Sequence, residues 1–227
     1  MCGRFTQRHT VEELTERFRV DHTLFEPETS FNIAPTRNIA VVVADAKRSR
    51  YLEGFRWGLV PEWARDATHG ARMINARSET VFEKPAFREA IRRKRCLVPA
   101  DGFYEWQPTE NGRQPFHFRR RDQALFAFAG IWATFRMPDG GDLLTCSILT
   151  TEANAVVAPV HDRMPVILRS ADEEGLWLDD SVRDRSVLEP LLRPFPDEET
   201  DRVRADRRVG SPANDFAALL TPPEEND

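Results

Sequence analysis

Leu125-Phe126-Ala127-Phe128-Ala129-Gly130-Ile131-Trp132-Ala133-Thr134-Phe135, then Pro138-Asp139-Gly140-Gly141, then Leu143-Leu144-Thr145-Cys146-Ser147-Ile148-Leu149-Thr150: this stretch decides the fold. Two runs of strand length, rich in apolar, aromatic and β-branched residues, flank a four-residue turn signal, which reads as a β-hairpin. Working outward, the same residue types mark strands at Ile39–Ala44 and Tyr51–Trp57, joined by a turn at Lys47-Arg48-Ser49, and further strands at Cys96–Pro99, Gly102–Gln107 and Phe116–Arg119. Strands therefore dominate the middle of the chain.

The ends are mixed. Cys2–Thr6 reads as a short strand, in which alternation places Cys2 and Arg4 on one face and Gly3 and Phe5 on the other. Thr10 with Glu13 three residues on forms a capping box, opening a helix that carries Val11, Leu14 and Phe18 inward. A proline-punctuated loop is expected from Arg19 to Asn38. Pro85 suits the first turn of a helix through Lys94, with Phe87 and Ile91 inward and Arg88, Arg92 and Arg95 outward. Two helices follow, Ala171–Leu178 and Ser186–Leu192, then a last strand near Asp201–Val209. Thr221–Asp227 holds little but proline and acid, so residues 221–227 are read as a disordered tail on a single domain of residues 1–220.

At 227 residues the chain is long enough for one well-buried core and short for two ordinary domains. No apolar run approaches the length of about 20 residues that a membrane helix needs, and the first residues lack a secretory signal, so no membrane partner and a cytoplasmic location are expected. The three cysteines, Cys2, Cys96 and Cys146, form neither a disulfide framework nor a metal spacing. The five histidines show no metal spacing either, and neither a metal nor another cofactor is expected. The net charge of -5 hides an asymmetry: residues 1–169 hold 25 Lys and Arg against 21 Asp and Glu, residues 170–227 hold 7 against 16. Only Lys47, Lys84 and Lys94 are lysines, and arginine's planar fork is the better group for phosphates. A basic front permits nucleic-acid binding without establishing it.

Cys2 is the sharpest chemical feature. Removal of Met1, usual before a residue as small as cysteine, leaves an amine with a pKa of about 7.7–8.0 and a thiol of about 8.5 on one residue. An aldehyde that meets the amine forms a Schiff base, and the adjacent sulfur can then close a five-membered thiazolidine ring. An internal cysteine cannot do this, although an initiator-adjacent cysteine of no consequence is the plain alternative. Glu105 lies among aromatics in Phe103-Tyr104-Glu105-Trp106, where burial should raise its pKa towards neutrality and suit it to acid–base work. A buried structural glutamate reads equally well. His161 opens His161-Asp162-Arg163-Met164-Pro165 in an irregular segment, as a proton shuttle, a phosphate contact or a satisfied histidine. If extended, Asn75-Ala76-Arg77 sets an amide and a cation on one face. Phe31–Thr36 and Trp57–Trp63 supply apolar and aromatic loop surface where bases could stack, with core packing the stronger reading for Trp57.

Cys2-Gly3-Arg4-Phe5, Asn32-Ile33-Ala34-Pro35, Trp57-Gly58-Leu59 with Trp63, Asn75-Ala76-Arg77 with Glu79-Thr80, Asp101–Trp106 and His161–Pro165 together resemble the SRAP family, the SOS response-associated peptidases that include abasic-site processing proteins. The late Arg208-Val209-Gly210 with Asn214-Asp215 is similar to the family's closing segment, and the acidic stretch Pro194–Asp206 departs from it. The resemblance implies an α+β single domain with a strand-rich, barrel-like core flanked by helices. It implies a groove for single-stranded DNA containing abasic sites, a monomer, and a place on the nucleoid when bound to damage. By the same carry-over Cys2, Asn75, Glu105 and His161 are catalytic, and Arg4, Arg77 and Arg163 grip phosphates. Asn32, Pro35, Trp63 and Trp106 would line the groove or stack on bases.

The activity implied is a thiazolidine cross-link between Cys2 and the lesion, with possible lyase action and self-removal of Met1. Three rivals stay open: a glutamine amidohydrolase with an N-terminal cysteine nucleophile, a thiol autopeptidase built on Cys2 and His161, and a single-strand binding module without covalent chemistry.

Overall fold

A computed structural model describes residues 2–110 and 112–221. The hairpin read from residues 125–150 is present as β10 and β11 below, paired from Gly130↔Ile148 to Arg136↔Asp142. Gly140 takes φ 91° in its turn, a conformation that glycine adopts without a Cβ clash.

In chain order the strands are β1 (Phe5–Gln7), β2 (His22–Thr23), β3 (Ser30–Ile33), β4 (Asn38–Ala44), β5 (Arg50–Trp57), β6 (Asn75–Arg77), β7 (Arg95–Ala100), β8 (Gly102–Thr109), β9 (Gly112–Arg120), β10 (Phe126–Arg136), β11 (Asp142–Glu152), β12 (Arg163–Pro165) and β13 (Thr200–Arg204). The helices are α1 (Val11–Phe18), α2 (Ala90–Arg93), α3 (Ala171–Leu178) and α4 (Arg185–Leu188). Five strands close into a barrel in the order β11-β10-β7-β4-β5, sealed by a short parallel pairing of Thr145 with Arg56 and Cys146 with Trp57. A second, five-stranded sheet runs β13-β9-β8-β1-β3. The molecule is thus a strand-rich α+β domain with a barrel core, as the resemblance implies.

Two apolar clusters hold it. One gathers Leu14 and Phe18 of α1, Ile91 of α2 and Trp177 of α3 against the strands of the barrel. The other joins the barrel to the second sheet, with Phe5, Phe103 and Phe118 against Trp57, Phe126 and Phe128. Phe5 meets Trp57 and Phe128 edge-on, at centroid distances of 5.2 and 5.8 Å. Such pairs are worth about 0.5–1.5 kcal/mol beyond the area they bury. The capping box is realised: Glu13 N–H donates to Thr10 Oγ1 and Thr10 N–H to Glu13 Oε2.

Four local expectations are corrected. Ser30–Ile33, expected in a loop, forms β3 because β1 offers it a ladder, and proline elsewhere in the loop does not prevent that. The helix from Pro85 shrinks to α2 after a series of turns. Arg95 points inward rather than outward: it is 4% exposed and donates to the carbonyls of Ile91, Arg92, Trp177, Asp179 and Val182. The last strand stops at Arg204 and gives way to a 3-10 turn at Arg207–Gly210, and the departing acidic stretch still pairs, Thr200 opposite Arg120. The tail expected at 221–227 lies, from residue 222 on, outside the described residues.

Candidate functional site

Cys2 and Gly3 precede β1, whose pairing with β8 begins where the Arg4 carbonyl accepts Tyr104 N–H at 2.9 Å, and the expected alternation does not extend back to Cys2. Cys2 is fully buried in the same apolar cluster as Phe5, not on the opposite face from it. Without strand geometry, backbone bonds and packing set its direction: the thiol donates to the Arg4 carbonyl at 3.7 Å. The Cys2 carbonyl accepts from Asn75 Nδ2 at 2.8 Å. That amide is placed by β6, which runs parallel to β11 with Asn75 opposite Ile148. Ala76 faces the core, so Asn75 and Arg77 share the other face, as alternation requires.

Glu105 is carried by β8, whose residues alternate. Phe103 faces the barrel and Tyr104 the outer cluster, so Glu105 follows Phe103 towards the barrel. It is 4% exposed, and burial pushes its carboxyl up to about 7 from an ordinary value of 4.5. Burial drives the Cys2 thiol well above the thiol range, and the neighbouring Glu105 charge adds to the rise. Gln107 Nε2, two residues on, donates to the Pro159 carbonyl at 3.1 Å and ties β8 to the segment that carries His161. Val157, Val160 and Met164 of that segment pack in the Cys2 cluster. Burial holds the His161 imidazole below its ordinary pKa. The structure therefore gathers Cys2, Asn75, Glu105 and His161 in one seam between barrel and sheet.

The cations divide. Arg4 is half-buried, desolvation lowers its pKa, and its Nε has no partner among the described residues. Arg77 is exposed. Arg163, expected to grip phosphate, has its guanidinium committed to both Glu79 oxygens and to the Thr150 carbonyl. A phosphate would have to share it. That ion pair was not read from the sequence, since the partners stand 84 residues apart and only Glu79's place in the Asn75–Thr80 motif hinted at it.

The expected groove-lining residues also divide. Trp63 is 62% exposed, a free aromatic face. Pro35 and Trp106 are half-buried, Trp106 against the cluster of Tyr104, Ala205, Val209 and Leu219. Asn32 corrects the expectation: it is fully buried, and its Nδ2 donates to the Val209, Ser211 and Asn214 carbonyls. It fastens the C-terminal segment to β3. Among the described residues no group of three His, Cys, Asp or Glu side chains is placed to hold a metal ion, and no helix is long and apolar enough to cross a membrane.

Fold and site define a barrel protein in which a buried cysteine lies beside an asparagine amide on its carbonyl and a carboxyl whose pKa burial raises. The chain belongs to the family described as SOS response associated peptidase (SRAP), which it matches over residues 1–212. It is 40% identical over 223 residues to the Abasic site processing protein YoqW of Bacillus subtilis, covering 97% of this chain and 99% of that one. The Abasic site processing protein HMCES of Xenopus tropicalis is 31% identical over 188 residues, 70% of this chain and 56% of its own. Among solved structures, a protein from Bacteroides thetaiotaomicron superposes with a TM-score of 0.85 at 26% identity, covering 97% of this chain and 99% of that one.

Proposed function

We propose that this protein, once Met1 is removed, captures abasic sites in single-stranded DNA as a thiazolidine between Cys2 and C1′ of the lesion. The observation that carries the reading is the Asn75 amide on the Cys2 carbonyl at 2.8 Å, which fixes the backbone of the one residue able to supply both amine and sulfur. The names of the relatives support an abasic-site substrate.

Glu105 as carboxylate takes the anomeric hydroxyl proton and returns it to the ring oxygen, freeing the aldehyde. The Cys2 amine attacks C1′ first, because only the imine that it forms gives the adjacent sulfur a carbon on which to close a five-membered ring. Protonated Glu105, abundant near pH 7, delivers the proton with which water leaves, and the imine forms. Sγ then bonds to C1′ while the thiol proton passes to the imine nitrogen. One water is released overall, and the ring protects the lesion. Should closure fail, the imine acidifies the adjacent carbon and opens a slow β-elimination of the 3′ phosphate, the lyase side path.

Arg4 and Arg77 are the phosphate contacts in this scheme, His161 a second proton carrier, and Trp63 a stacking platform. A thiol peptidase or amidohydrolase built on Cys2 would release ammonia or a cleaved peptide and leave no bond to DNA, so the adduct itself separates those readings from this one. One denaturing gel tests the proposal: purified protein with single-stranded oligonucleotides, with and without an abasic site, beside Cys2→Ala. A stable adduct is expected only with wild type and lesion. Adduct at wild-type yield from Cys2→Ala, or from protein that mass spectrometry shows still carrying Met1, overturns it.

A further inference from the structure

β11 is the rail on which the site is mounted. Its Ile148–Thr150 stretch pairs with β6, which ends in Arg77, and its Thr150–Glu152 stretch pairs with β12, which begins at Arg163. The two attached segments meet at one atom: the Thr150 carbonyl accepts Ser78 N–H at 2.9 Å and Arg163 Nη2 at 2.7 Å. Glu79, next after Ser78, closes over that point with both carboxylate oxygens on the Arg163 guanidinium. The Arg163 side chain is only 12% exposed and that of Glu79 is 52% exposed, so the bidentate pair is covered on its arginine side and open to solvent on its carboxylate side.

Arg163 has a second connection. Its backbone N–H donates to His161 Nδ1 at 3.0 Å. A ring nitrogen that accepts is unprotonated, which leaves the proton of a neutral imidazole on Nε2. The Asp162 carboxylate, 87% exposed, also stands 3.0 Å from Nδ1 and would favour the opposite arrangement, with Nδ1 protonated. The two partners select different states of one ring, and what holds Arg163 in place decides between them.

We infer that Glu79 is a positioning residue: by clamping Arg163 against Thr150 it keeps the Arg163 N–H on His161 Nδ1 and the imidazole proton on Nε2. The purpose of that proton rests on the cross-linking reading above; the tautomer itself does not.

Nitrogen-15 NMR of the histidine side chains in the full-length protein tests it, at about pH 8, above the ordinary histidine pKa of about 6.5. Wild type is expected to show His161 as the Nε2–H tautomer, Glu79→Ala a mixture, and Glu79→Asp a partial return. Adduct formation by Glu79→Ala should slow by up to about a hundredfold, the scale of a displaced acid–base group. Affinity for an undamaged single-stranded oligonucleotide should hold. Glu83→Gln serves as a control on a neighbouring carboxylate and should match wild type. An unchanged His161 tautomer in Glu79→Ala overturns the inference, as does tighter binding of undamaged DNA with that tautomer intact, which would make Glu79 only a screen on Arg163. If Glu79→Ala does not fold, Glu79→Gln is read by the same spectra. If wild type forms no adduct and the tautomer still shifts in the variant, the clamp stands and the cross-linking reading falls.

Discussion

Cys96 and Cys146 belong to barrel strands and Cys2 precedes the first strand of the second sheet, yet all three share the apolar cluster that joins barrel to sheet. All three are fully buried, and desolvation raises all three thiols. Burial alone therefore does not separate a structural cysteine from a candidate nucleophile. What differs is the company. In the barrel the neighbours of the cysteines are apolar side chains, and Gly130 is needed because a Cβ there would stand 2.8 Å from Cys96 Sγ. In the seam the neighbours are an amide held on the Cys2 carbonyl, a carboxyl with a displaced pKa and a half-buried arginine. An apolar interior offers a thiol no proton donor or acceptor, whereas the seam sets Cys2 beside polar groups whose burial has to be offset by pairing.

Arg95 puts that contrast to its hardest test, because it is a buried charge on the barrel side. Burial lowers its pKa to about 10, so it stays charged at neutrality, and its five bonds go to carbonyls at the ends of α2 and α3 and to Val182 in the loop that follows. Arg95→Met should cost about 3–5 kcal/mol in urea unfolding, since it leaves those carbonyls without partners. A cost below about 1 kcal/mol would break the distinction between structural and chemical burial of polar groups.

Glu105 gives the next largest effect, on the seam side. Its folded pKa, about 7, lies above the ordinary 4.5, so the native state holds the proton more tightly than the unfolded chain. Its contribution is fully present below about pH 4.5 and is lost as pH rises through about 7, a swing of up to about 3 kcal/mol. Glu105→Gln should remove that slope, gaining on wild type between pH 5 and pH 9 in unfolding experiments while adduct formation collapses. Parallel pH profiles for the two proteins would show that Glu105 is satisfied as an ordinary structural carboxylate.

Trp63 is the smallest case and lies outside both regions. Trp63→Ala should change stability by no more than about 0.5 kcal/mol, as an exposed side chain does, yet weaken single-strand binding by about tenfold. Equal affinity by fluorescence anisotropy at fixed salt would remove it from the binding surface.

Much of this was legible in the residues. The hairpin at 125–150, the strands at 39–57 and the capping box are local signals, and in β8 simple alternation separates Phe103 and Glu105 from Tyr104 and Trp106. The misreadings share a cause. β3 needs β1 as a partner, and Arg95 turns inward to carbonyls more than 80 residues away. Cys2 stands ahead of β1, where its own contacts and not a strand pleat set its direction.

By itself the sequence determined the strand-rich class, the residue types at the site and the chemistry open to an amino-terminal cysteine, because composition, period and turn signals act within a few residues. Only the tertiary structure decided that Asn75 holds Cys2, that Glu105 is desolvated to a pKa of about 7, and that Arg163 serves Glu79 and His161. Those outcomes depend on distance and dielectric between segments far apart in the chain, and neither exists until the barrel closes.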